Sequence, residues 1–151
     1  MNKLIRFISV LMLTVFFICN CSKDNSTESQ PVNGKITASA TGITGQNGNI
    51  YAVSAYDSDW SPGSNSPTIA GIMGTITSDN FSFTQNLKAV DDQSPGGLSS
   101  EDMSFEPKTY SVVFYVAALG SPPQHYAEVR MEVNGDVTAT APDWANWAHP
   151  Q

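Results

Sequence analysis

HYAEVRMEVNGDVTATA (residues 125–141) alternates apolar and polar side chains on both sides of one turn signal. Ala127, Val129, Met131 and Val133 interleave with Tyr126, Glu128, Arg130 and Glu132. After Asn134-Gly135-Asp136 the alternation resumes, with Val137, Ala139 and Ala141 set against Thr138 and Thr140. An extended chain points successive side chains to opposite faces. Period two therefore places one face on a core and the other in water, the habit of antiparallel sheets.

The same reading extends outward. Ile36, Ala38 and Ala40 alternate with Thr37, Ser39 and Thr41, while Phe81, Phe83 and Leu87 oppose Ser82, Thr84 and Asn86. Tyr110–Leu119 is apolar almost throughout and rich in β-branched and aromatic residues, as a central strand requires. Asn49–Tyr56 is partly apolar on both faces, and Ile69–Thr77 carries Gly71 and Gly74, marks of a bend, a bulge or a close approach. Gln46-Asn47-Gly48, Asp79-Asn80 and Asn134-Gly135-Asp136 read as hairpin turns, and Ser121-Pro122-Pro123 as a break. Strands are predicted at 35–41, 49–57, 69–77, 80–87, 109–119, 125–133 and 137–141. Seven short strands with regular turns predict an all-β fold, a single antiparallel β-sandwich of immunoglobulin or transthyretin type. The cysteine pair and core Trp of an antibody domain are missing, and no internal repeat is found.

Ahead of this domain the chain has the parts of a secretion signal. Lys3 and Arg6 precede the uncharged apolar run Phe7–Ile18, then Cys19, Asn20 and Cys21. That run is shorter than the roughly 20 residues a spanning helix needs, so residues 1–20 are expected to be a cleaved signal peptide rather than an anchor. Lipid attachment needs a thiol just past the apolar core. Cys21 follows the small polar Asn20, whereas Cys19 follows bulky Phe17 and Ile18, so Cys21 is the expected lipidation site. SKDNSTESQPVN (residues 22–33) has no apolar periodicity and predicts a flexible tether over 21–33, with the domain at 34–151. The start Cys21-Ser22-Lys23-Asp24-Asn25 resembles that of Bacteroidota-type surface lipoproteins, in which lysine and acids behind the lipidated cysteine accompany export to the cell surface. The resemblance covers about five residues. It implies display on the outer membrane and says nothing of the domain.

Loss of residues 1–20 leaves five basic residues against fourteen acids, a net charge of about −9. That balance argues against nucleic acid and against electrostatic binding to anionic lipid. Membrane attachment then falls to the acyl chains, at about 0.8 kcal/mol per buried CH₂. One cysteine would remain and would be acylated, so no disulfide is expected and about 110 residues must hold together by burial.

Strands running alternately up and down would bring Asp57–Thr68, Lys88–Lys108 and Asn134–Asp136 to one end, with most of the acids. Asp57, Asp59, Asp91 and Asp92 are hard oxygen donors of the kind Ca²⁺ prefers, although acids in long loops also serve simply to keep them solvated. Trp60, in the Ser/Pro/Gly-rich stretch after Asp57 and Asp59, is a candidate to stack on a sugar ring while the acids accept hydroxyl hydrogen bonds. It could instead fold back to plug the open end of the sandwich, which the burial preference of large aromatics favours. Asp143 can cap a short turn ended by Pro150, placing Trp144 and Trp147 on one face for packing.

His125 and His149 are the only histidines, and no zinc-protease, nucleophile-elbow or phosphate-loop motif occurs. No enzymatic activity and no cofactor are expected, calcium aside. A carboxylate pair acting on glycosides would leave no motif. The expectation is a lipid-anchored recognition module for carbohydrate or protein. The alternative is an accessory subunit of an outer-membrane assembly, docking by a strand edge.

Overall fold

A computed structural model describes residues 30–57, 60–62, 64–94 and 97–149. The expected signal peptide, Cys21, all of the tether before Gln30, Asp59 and Pro150 lie outside the described residues. Of two compact units, Met1–Gln30 has only Gln30 among the described residues. The strands all belong to the other unit, which begins at Pro31.

Nine strands form two sheets: β1 (Ile36–Ile43), β2 (Ile50–Tyr56), β3 (Ala70–Thr75), β4 (Phe81–Asn86), β5 (Lys88–Val90), β6 (Leu98–Asp102), β7 (Lys108–Ala117), β8 (His125–Val133) and β9 (Val137–Thr140). The smaller sheet has the order β4-β1-β9, the larger β6-β5-β3-β2-β7-β8. Every pairing is antiparallel except β1 with β9, which is parallel. The fold is an all-β sandwich, as the alternation predicts.

Three details depart from expectation. The first is the strand count. The stretch read as a loop after Leu87 contains β5 and β6, a hairpin added to the edge of β3. Leu87 is the crossing point: its N–H donates to Ile36 of the smaller sheet, and its carbonyl accepts from Met103 beside β6. Strands of three and five residues are too short to display a period. Secondly, the Asn-Gly and Asp-Asn turns are not hairpins. Each of β1–β2, β3–β4 and β8–β9 joins different sheets, so these turns are arches across the core. Besides β5–β6, the hairpins are β2–β3 and β7–β8, which have the long Trp60 loop and the Pro122-Pro123 loop. Thirdly, an immunoglobulin sandwich keeps its first two strands in one sheet. Here β1 and β2 lie in different sheets.

The core is built from the predicted alternating positions. Ile36, Ala38 and Ala40 of β1 join Tyr51, Val53 and Ala55 of β2 and Val112, Phe114 and Val116 of β7 in one buried cluster. Ile43 should point outward by strict alternation from Ala40. A bulge between Ala40 and Ile43, with Gly42 at φ +70°, returns it to the core. Gly74 answers the close-approach reading, since a Cβ there would sit 2.7 Å from the Tyr51 ring that lies across it. That ring stacks on Phe83 of the opposite sheet at 4.4 Å between centroids.

The tail packs against the larger sheet. Trp144–Asn146 forms one 3-10 turn held by backbone bonds, without the expected Asp143 side-chain cap. Trp147 is only 4% exposed, its indole N–H donates to Pro142 O at 3.0 Å, and its ring meets Phe114 edge-on. The tail tryptophans thus pack, as expected.

Candidate functional site: an aromatic cleft on the outer sheet face

In the larger sheet, residues between the core positions face away from the smaller sheet. On β2, β7 and β8 these include Tyr56, Tyr115 and Tyr126, with Tyr115 directly opposite Tyr126. Trp60 does not plug the end of the sandwich. Trp60 of the β2–β3 loop lies over the outer face instead, edge-on to Tyr126 at 5.4 Å and to Tyr115 at 6.2 Å, and tilted against Tyr56 at 6.3 Å. Pro122 and Pro123 of the β7–β8 loop approach from the other side. Together with Pro62 and Ser64 these residues line a cleft of about 330 Å³. It is at the small end of the range for ligand pockets.

The cleft's polar groups are three phenols, the Trp60 indole and the Ser64 hydroxyl. The Tyr56 and Tyr115 hydroxyls lie 3.1 Å apart, and the Trp60 indole sits edge-on beside Tyr115. Burial pushes the Tyr115 phenol well above the ordinary tyrosine range, and its bond to Tyr56 pushes the same way. Tyr115 therefore keeps its proton, and within the Tyr56–Tyr115 pair one O–H donates to the other while the second is left to turn toward a ligand. No charged side chain lines the cleft among the described residues.

A second groove of about 280 Å³ crosses the same sheet at β2 and β3, lined by Ala52, Gly71, Met73, Val90 and Leu98, with Asp92 among them.

The predicted acidic end exists, but Asp57, Asp91, Asp102 and Asp136 already have partners within the chain. Strand ends there hold Asp57, Asp102 and Asp136. Asp57 is ion-paired with Lys108. Asp102 receives Lys88 at 2.6 Å, Lys35 at 2.9 Å and the Asn86 amide at 2.7 Å. The Lys88, Asn86 and Lys35 hydrogen bonds hold the Asp102 carboxyl well below the usual carboxylate range. Asp136 accepts from the Lys35 backbone N–H. Asp91 closes its own turn onto Gln93 N–H and Ser94 Oγ. Among the described residues no three acids, histidines or cysteines converge as a metal site would need. Of the four predicted calcium donors, Asp57, Asp91 and Asp92 are thus not brought together, and Asp59 lies outside the described residues.

Trp60 was legible from its loop; its tyrosine partners were not singled out. The signal for them was Tyr126, a large aromatic on the face that β8 otherwise gives to Glu128, Arg130 and Glu132. No protein-family model matches the chain, and no curated protein or solved structure is significantly similar to it.

Proposed function

We propose that this chain is a lipid-anchored surface module that binds a neutral carbohydrate in the Trp60 cleft. The observation that carries the reading is the set of four aromatic rings, three with hydroxyls, around an open cleft with no charged side chain among the described residues. Aromatic faces meet the apolar face of a sugar ring, and phenols exchange hydrogen bonds with its hydroxyls. An acidic chain repels anionic polymers, which favours a neutral glycan. An extended peptide fits less well. The cleft floor is β2, β7 and β8; β2 and β7 are paired on each side, and β8 is bridged to Ala148 at Tyr126, so strand addition at the cleft itself has no free backbone. Attachment is through lipid on Cys21 at the outer membrane, with the domain on the cell surface, and the activity is binding rather than catalysis.

The accessory-subunit alternative draws on a free strand edge. Tyr126 on edge strand β8 is already bridged by Ala148, and β6 on the other edge has five residues. It has the weaker support.

A glycan array probed with the purified chain tests the proposal, with Trp60→Ala as control. Binding to neutral glycans that disappears in the variant is the expected result. Binding to none, equal binding by the variant, or binding only to proline-rich peptides would each overturn it.

A further inference from the structure

The two histidines stand 24 positions apart in sequence, one at the start of β8 and one in the tail. The fold places them side by side across a strand pair. Tyr126 and Ala148 form an antiparallel bridge, exchanging N–H···O bonds of 2.9 and 2.8 Å. The residues flanking such a pair are themselves opposite, so His125 and His149 are direct cross-strand neighbours. Their ring centroids lie 4.4 Å apart with planes inclined by 68°. Trp144 buttresses His125 from the tail side at 4.7 Å. His125 shares the core-side face of β8 with Ala127, whereas Tyr126 faces the aromatic cleft, so this pair is separate from the proposed glycan site.

We propose that His125 and His149 form a two-histidine chelate for a borderline divalent transition-metal ion, clamping the C-terminal segment to the edge of β8. Imidazole nitrogens bind such ions at about 2.0–2.1 Å, so two rings sharing one ion in tetrahedral or square geometry have centroids about 4.5–5 Å apart. The observed centroid spacing of 4.4 Å lies close to that range, and turning the rings about their side-chain bonds from the edge contact would aim a nitrogen of each at one ion. Among the described residues no third histidine, cysteine or acid joins them, so water completes the coordination. Imidazole suits copper(II), nickel(II) and zinc(II), with copper bound tightest, and does not suit magnesium or calcium.

The test uses the full chain, purified without an affinity tag and alkylated so that no thiol competes. Copper(II), nickel(II) and zinc(II) are titrated by calorimetry, with magnesium as control, and copper(II) also by quenching of tryptophan fluorescence. The expected result is one saturable copper site, weaker nickel and zinc binding, and quenching through Trp144. Because both rings must hold one ion, His149→Ala and His125→Gln should each lose more than about tenfold in affinity. His149 is exposed in the tail, so its variant tests the site even if His125→Gln fails to fold. Absence of saturable binding, or wild-type affinity in His149→Ala, would overturn the proposal.

Discussion

The acidic end of the sandwich and the aromatic cleft on its outer face are both built from polar, Pro/Gly-containing loops, yet they end in opposite states. At the acidic end the charges find partners within the chain: Asp102 with Lys35 and Lys88, Asp57 with Lys108. Three of the few cations in the molecule are used there. In the cleft, Trp60 meets other rings and prolines, and the space between them stays open. A carboxylate can be satisfied by any cation the register brings near. A cluster of rings on the solvent side of a sheet can be fully satisfied only by a further apolar surface. The first arrangement stabilises the fold, and the second leaves a place for a ligand.

The largest effect expected from this contrast is on binding. Trp60→Ala should weaken the glycan by about thirtyfold or more, as loss of a central aromatic anchor does, and change unfolding free energy by less than about 1 kcal/mol. Binding isotherms and urea melts check both halves. Loss of the fold instead would make Trp60 a structural cover. Tyr56→Phe removes one hydroxyl of the Tyr56–Tyr115 pair offered to the ligand and should cost roughly three- to tenfold in affinity, the worth of one hydrogen bond. An unchanged isotherm would move that donor elsewhere.

The acidic end should respond in the other direction. Asp102→Asn leaves Lys35 and Lys88 facing each other, so Tm should fall while glycan affinity stays the same. In the parent chain the Asp102 carboxyl is held low, so its contribution is fully present above the unfolded carboxylate range, about pH 4. It is lost as pH falls below that range towards the folded value, because the unfolded chain then binds the proton first. Acid titration of Tm should therefore be shallower in Asp102→Asn. The smallest effect concerns calcium. With Asp57 and Asp91 already engaged, adding Ca²⁺ or a chelator should leave Tm unchanged, and a clear rise with Ca²⁺ would show that the acidic end has a vacancy after all.

How much of this was legible from residues alone follows the same divide between pattern and register. Alternation in 125–141 and 36–41 identified the strands and their buried faces, because period two is a local property. Pairing is not local. Asn134-Gly135 reads the same whether the chain doubles back within a sheet or arches to the other one, and here it arches. The β5–β6 hairpin was hidden because Leu98–Asp102 is mostly polar and gains its partner only from the edge of β3 through β5. At the candidate site, Trp60 announced itself by sitting among Ser, Pro and Gly. Tyr115 was concealed in an apolar run where either face looks like core, and only the pairing with Tyr126 reveals which side it is on. The acids were visible, and so was their sharing of one end. Their partners were not, since Lys35 lies 67 positions from Asp102.

The most direct measurement is an NMR titration of the chain with the best neutral oligosaccharide from the array, following side-chain signals. Shifts concentrated at the Trp60 indole N–H and the Tyr56, Tyr115 and Tyr126 rings, with Asp102 and its lysines still, are the predicted outcome. A static Trp60 signal, or shifts gathered at Asp57, Asp91 and Asp102, would contradict it.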